Sequence, residues 1–414
     1  MRRQKDNADW AAWASVPWNP VTDPATSTAD TIGWHKSGVP YVPEGRGVAL
    51  QTLDVWVPAA AADITTNPPE PSSLLRLPGT WIVYIHGGAW RDPLITSASF
   101  TSAAVHLLHR TTTTQSQSQS QSKPPAARIA GLISLNYRLS PHPSHPCPAP
   151  DLPSRQARHP DHIADVLTAL AFLHRLGILP PLSQPTTTTT NYPNSNSDTP
   201  WILAGHSCGA TLAFQSVMSP ARWGAAGMPV SRTLTTTTTT TKPAAVVGFN
   251  GLYDLAGFVA APPAAYAHLR EAYREFVTGA FGPDDDDDDD GHGHGHGHGR
   301  QGGGVWREVC PATAGAGWVG EWIGGGDGDG DDRGGSGRGR LRRVKAVLVQ
   351  SREDSLVPYE QLEAMRDRLE GKEGRGVVEV RVVEAGGDHN WIWEEGGRMA
   401  EILWEAVEGL PVAY

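Results

Sequence analysis

Five consecutive residues, Gly205-His206-Ser207-Cys208-Gly209, limit what this chain can fold into more than any other feature. They follow a short apolar run, Trp201 to Ala204 (WILA), and precede an Ala-rich segment, Ala210 to Met218, that reads as a helix. A serine bracketed by glycines between a strand and a helix sits on a sharp turn, where only small neighbours avoid a clash, and its hydroxyl projects above the strand end. The N–H groups opening the next helix, that of Cys208 among them, are oriented to stabilise a developing oxyanion. A chance G-x-S-x-G in a glycine-rich chain is the bland alternative, and the strand and helix on either side count against it.

The other ordered segments alternate between strand-like and helix-like patterns, which predicts a mostly parallel central sheet flanked by helices. Val48 to Val57, Trp81 to Ile85 and Ile129 to Leu135 read as strands, the last a near-continuous apolar run of the kind buried on both faces. His162 to Leu176 carries Ile163, Val166, Leu167, Leu170 and Leu173 at helical spacing. Ala244 to Phe249, Val344 to Val349 and Val377 to Val383 supply three later strands, and Met399, Ile402, Leu403 and Ala406 mark a C-terminal helix. A single α/β domain over residues 1–414 is expected, interrupted by four low-complexity inserts: Thr111 to Ala127, Leu182 to Thr199, Val230 to Pro243 and Asp284 to Arg340. Such segments carry too little apolar surface to offset the entropy of ordering them.

The inserts also explain the composition. The chain is only 39% hydrophobic, and seven acidic residues behind its net charge of −10 are the run Asp284 to Asp290, so the acidity belongs to one solvated insert. No basic patch with interleaved aromatics supports nucleic-acid binding. Cys147, Cys208 and Cys310 build no disulfide framework. Arg2 and Arg3 are not followed by an apolar run, and no stretch approaches the 18 apolar residues of a membrane span. A soluble cytoplasmic protein is therefore expected, with no membrane partner. His292, His294, His296 and His298 alternate with glycine, but neither rigid geometry nor spaced cysteines accompany them, so no metal is expected. His106, His109 and His174 fall on predicted helices and read as surface or packing residues.

A serine nucleophile needs a base, and the base an orienting carboxylate. The loop after Val344 to Val349 offers Asp354, with Glu353 as its rival, and the loop after Val377 to Val383 offers His389. Both lie at the C-terminal ends of strands, where open α/β sheets place their sites. Upstream, His86-Gly87-Gly88-Ala89-Trp90 follows the strand Trp81 to Ile85 directly, where two glycines let backbone N–H groups turn inward. Asn136 to Pro141 ends a central strand, with Tyr137 and Arg138 expected to brace the loop near the elbow.

Together these residues resemble the fungal kynurenine formamidases, or arylformamidases, of the α/β-hydrolase superfamily. The resemblance rests on His86 to Pro93 (HGGAWRDP), Leu135 to His142 (LNYRLSPH), His159 to Val166 (HPDHIADV), Gly205 to Ala213 (GHSCGATLA), Gly251 to Leu255 (GLYDL) and Gly387 to Gly396 (GDHNWIWEEG). It implies an α/β-hydrolase fold, a Ser207–Asp354–His389 triad and an oxyanion hole formed by the N–H groups of Gly88, Ala89 and Cys208. It also implies hydrolysis of N-formyl-L-kynurenine to L-kynurenine and formate in tryptophan degradation towards NAD, without a cofactor, by a homodimer. Trp90 and Trp391 are candidates to pack on the substrate's aromatic ring, with a core role as the alternative for each. Two other readings stay open: a general carboxylesterase using the same triad, and a non-catalytic binding protein on a hydrolase scaffold.

Overall fold

The computed structural model describes residues 2–23, 30–43, 45–59, 68–75, 77–118, 129–180, 200–225, 241–284, 304–323 and 343–410. Nine strands form one sheet: β1 (Asn19–Thr22), β2 (Thr31–Pro40), β3 (Thr52–Pro58), β4 (Thr80–Ile85), β5 (Ile129–Leu135), β6 (Trp201–His206), β7 (Ala245–Phe249), β8 (Val344–Ser351) and β9 (Val378–Ala385). Their spatial order is β1-β2-β3-β5-β4-β6-β7-β8-β9. The first three strands pair antiparallel, and every pair from β5 to β9 is parallel.

Alternation along the central strands divides the core into two layers. Val83, Ile85, Leu203, Val246 and Leu348 face the helices Asp161–Leu176 and Cys208–Gln215. Ile82, Tyr84, Ile202, Ala204 and Val347 face Thr101–Ser118 and Gly397–Glu408. Residues on both sides of β4 to β7 are fully buried, which is why these strands read as unbroken apolar runs. Among the described residues no helix is long and apolar enough to cross a membrane.

Several sequence expectations are corrected. The strand predicted from Val48 begins at Thr52, because a turn closed by the Gln51 N–H to the Val48 carbonyl precedes it. The Thr111–Ala127 insert is helical at its start: the helix Thr101–Ser118 runs into it. The Thr111 and Thr112 hydroxyls donate to the carbonyls of Leu107 and Leu108, four residues back, at 2.8 and 3.0 Å. The Asp284–Arg340 insert contains a packed segment, residues 304–323, with the helices Val305–Val309 and Trp318–Ile323. Trp306, Trp318 and Trp322 bury their rings there, and large aromatic area compensates for the surrounding glycines. The Leu182–Thr199 insert, the His-Gly tract and most of Val230–Pro243 lie outside the described residues. The N-terminal helix Arg2–Ala14 and strands β1 and β2 were not anticipated, since Gly33, Gly38 and Pro40 break up the pattern of β2.

Candidate active site

The elbow is built by close backbone packing. Ser207, directly after β6, sits at φ 55° and ψ −123°, a left-handed conformation that costs a non-glycine residue about 1–3 kcal/mol. Its N–H is anchored on the Phe249 carbonyl of β7 at 2.8 Å. A Cβ at Gly205 would come within 2.2 Å of the Gly209 carbonyl oxygen, and one at Gly209 within 2.2 Å of the Ile85 oxygen. The two glycines let the helix Cys208–Gln215 start directly against β4. Cys208 opens that helix, where an N–H has no intrahelical acceptor.

Asp354 and His389, each brought by the loop after its strand, meet beside the elbow. Asp354 Oδ2 lies 2.8 Å from His389 Nδ1 and also accepts from Gln350 Nε2 at 3.1 Å. Its Oδ1 accepts the N–H groups of Leu356 and Val357, both at 2.8 Å, so the buried carboxylate is hydrogen-bonded on both oxygens. A carboxylate on Nδ1 holds the imidazole in the tautomer that leaves Nε2 for proton exchange. Glu353, the sequence rival, turns outward and accepts from the Gly387 N–H at 2.9 Å. Two further groups hold the His389 main-chain oxygen: His206 Nε2 and Asn250 Nδ2, each at 2.9 Å. Burial, with His389 next in effect, pushes the His206 pKa well below the usual histidine range, so it is a neutral donor. Asp388 Oδ1 accepts from the His389 N–H at 2.7 Å and from the Ser355 hydroxyl at 2.7 Å.

The loop after β4 brings three successive left-handed residues alongside: Gly88 at φ 95°, Ala89 at 49° and Trp90 at 59°. Gly88, Ala89, Ser207 and His389 all line one cavity of about 280 Å³. Phe258, Tyr273 and Phe276 form its aromatic wall, with Phe258 and Tyr273 stacked at 3.7 Å between centroids. Arg91, Asp92 and His142 add its charged and polar groups. Arg91 pairs with Glu275 at 3.1 Å and lies 5.9 Å from the Phe276 ring centre. Burial, with Arg91 next in effect, lowers the His142 pKa.

Neither tryptophan suggested for the substrate ring lines this cavity. Trp90 is fully buried, edge-on to Phe281 at 4.9 Å, because its left-handed backbone turns the ring into the core. Trp391 is 38% exposed and packs over Gly387. Arg138 and Tyr137 do brace the loop: Arg138 grips Asp165 through Nε and a terminal nitrogen at 2.8 and 2.9 Å. Tyr137 Oη donates to the His86 carbonyl at 3.1 Å. The aromatic wall was missed in the sequence, although Tyr273, Val277, Ala280 and Phe281 in the helix Arg270–Phe281 carry a readable helical period.

A serine at a strand-to-helix elbow in a mostly parallel sheet, with a carboxylate and a histidine delivered by the loops after β8 and β9, defines an α/β-hydrolase. No protein-family model matches the chain. Two curated fungal proteins are similar over nearly their whole length. Kynurenine formamidase-like hydrolase fscH of Fusarium equiseti is 30% identical over 382 residues, 91% of this chain and 95% of its own. Kynurenine formamidase avaC of Aspergillus versicolor is 29% identical over 361 residues, 86% of this chain and 95% of its own. The chain belongs to this family of kynurenine formamidase-like hydrolases.

Proposed function

We propose that this hydrolase cleaves N-formyl-L-kynurenine to L-kynurenine and formate through a formyl-enzyme, with Ser207, His389 and Asp354 as its triad. The near-full-length similarity to two proteins named for kynurenine formamidase carries this reading. The cavity supports it. Its aromatic wall suits a flat arylamine, and Arg91 and Asp92 offer opposite charges to the carboxylate and ammonium of an amino-acid tail.

In this mechanism Ser207 Oγ attacks the formyl carbon while His389 Nε2 takes its proton. Asp354 stabilises the resulting imidazolium without itself becoming protonated. The N–H groups of Gly88, Ala89 and Cys208 receive the oxyanion. As the C–N bond breaks, His389 returns the proton to the arylamine nitrogen. Water then attacks the formyl ester with His389 as base, releasing formate and restoring Ser207.

The test is a series of substrates with growing acyl groups. N-formyl-L-kynurenine should exceed short aryl esters in kcat/KM, and activity should fall steeply from formyl to acetyl to butyryl. Ser207→Ala should abolish both turnover and labelling by a fluorophosphonate while leaving the fold intact. A rate rising towards butyryl, with N-formyl-L-kynurenine inert, makes the protein a general esterase.

A further inference from the structure

The Cys208 side chain is used by none of the steps above, yet from the buried core it touches the loop that carries Ala89 and Trp90. Its thiol is fully buried, and burial pushes its pKa up to about 11, against the opposing pull of the Tyr137 hydroxyl and of the Trp90 and Ala89 amides. It is therefore a neutral thiol and no rival nucleophile. The Trp90 N–H donates to Cys208 Sγ at 3.3 Å. Cys208 Sγ also lies 3.5 Å from Tyr137 Oη. The Tyr137 hydroxyl is shared between the His86 and Gly87 carbonyls, at 3.1 and 3.3 Å. In the Cys208–Tyr137 contact either atom can donate. One chain of contacts then runs from the Trp90 amide through sulfur and phenol to the backbone oxygens of residues 86 and 87.

This chain brackets Gly88 and Ala89. The peptide groups before them are held by Tyr137, and the amide after them is held by Cys208. Between the two anchors lie the N–H groups assigned to the oxyanion, on a loop in which Ala89 and Trp90 are both non-glycine residues with left-handed φ. Such a conformation persists only where its surroundings over-determine it. Local propensity would release the loop towards negative φ and rotate the Gly88 and Ala89 N–H groups away from Ser207.

We propose that the Cys208 thiol and the Tyr137 hydroxyl are positioning residues that hold the oxyanion loop in its productive left-handed form. Neither touches the reacting atoms. Cys208 thus has two separable roles, its backbone N–H as an oxyanion donor and its side chain as an anchor for the other two donors. The inference rests on the reading of Ser207 and its oxyanion hole.

The experiment compares Cys208→Ala, Cys208→Ser and Tyr137→Phe with the unmodified enzyme on p-nitrophenyl acetate and N-formyl-L-kynurenine. Rates are expressed per site, titrated to completion with a fluorophosphonate. Cys208→Ala and Tyr137→Phe should each lose about tenfold or more in kcat with KM nearly unchanged, since the donors act chiefly in the transition state. Affinity for a trifluoromethyl ketone, which forms the same oxyanion, should fall in parallel. Cys208→Ser keeps an acceptor for the Trp90 N–H and should recover most of the rate. Unchanged per-site kcat in Cys208→Ala, or a serine variant no better than the alanine one, overturns the proposal. Should Cys208→Ala not fold, Tyr137→Phe carries the same test. A Ser207→Ala variant that still turns over brings down the site itself. An inactive Ser207→Ala beside an unimpaired Cys208→Ala brings down only the loop anchor.

Discussion

His206 Nε2 donates to the main-chain carbonyl of His389 at 2.9 Å, so the residue before the elbow serine holds the loop that carries the candidate base. The two are 183 residues apart in sequence. The same oxygen accepts from Asn250 Nδ2, and Asn250 Oδ1 in turn accepts from the Ser351 N–H at 3.2 Å, just ahead of Asp354. Serine, acid and base are thereby referred to one backbone frame.

Removing the His206 donor should loosen that frame. His206→Phe is expected to lower kcat by about tenfold, since misplacement of about 1 Å can cost as much as roughly a hundredfold. His206→Gln, which keeps a donor, should lose less. Steady-state kinetics of the two variants, alongside their thermal midpoints, separate the frame from a general loss of folding; equal kcat in all three proteins refutes the role.

The neighbouring carboxylates should differ sharply. Asp354→Asn is expected to lose roughly 10⁴-fold in kcat by favouring the wrong imidazole tautomer. Glu353→Gln should be nearly silent, because a glutamine oxygen can still accept from the Gly387 N–H. Single-turnover rates of the two variants decide it, and a sensitive Glu353 beside a tolerant Asp354 reverses the assignment.

Arg91 should read the substrate's tail. Arg91→Ala is expected to raise KM for N-formyl-L-kynurenine about tenfold, a loss of about 1.4 kcal/mol, while leaving formanilide, which has no tail, unaffected. Arg91→Lys should recover only part, since an ammonium lacks the planar fork. An equal rise for both substrates assigns Arg91 to packing on Phe276.

Acid should destabilise the protein through its buried histidines. Burial lowers the His159 pKa to about 3, and neither ring nitrogen has a hydrogen-bond partner among the described residues. The unfolded chain takes up this proton below about pH 6.5, whereas the folded protein resists until about pH 3. The stabilisation is therefore complete above pH 6.5 and is lost as the pH falls towards 3, by about 2 kcal/mol at pH 5. His86, lowered by burial to about 4, adds in the same direction. His159→Phe, set against Phe281 at the 5.1 Å centroid spacing of the present histidine, should flatten the acid slope in denaturant midpoints measured from pH 7 to pH 5. An unchanged slope removes His159 from the account.

Trp322 should contribute to stability despite its glycine-rich surroundings. Its ring is buried, donates from Nε1 to the Pro243 carbonyl at 3.2 Å, and meets Phe214 of the elbow helix edge-on at 6.2 Å. Trp322→Ala is expected to cost about 3–5 kcal/mol in urea unfolding. A cost below about 1 kcal/mol, the range of surface changes, means the segment is dispensable.

What the amino-acid sequence determined by itself was whatever depends on neighbouring residues. The elbow was legible because strand, turn glycines and helix fall within thirteen residues, Trp201 to Ala213. The order of serine, acid and histidine, and the strands delivering them, followed from apolar runs that end in polar loops. Tertiary structure alone decided where side chains point and what distant segments they meet. Asp354 and Glu353 are adjacent, and only the Leu356 and Val357 amides turn one inward while the Gly387 amide draws the other out. For Trp90 the sequence leaves a substrate-facing and a core role equally open, and the left-handed backbone that sends its ring into the core decides between them. The cavity joins Gly88, His142, Ser207, Phe258, Phe276 and His389 from separate segments, and no local period records which of them will share a wall. Low average hydrophobicity likewise hid Trp306, Trp318 and Trp322, because burial depends on the contacts each ring finds and not on the composition around it.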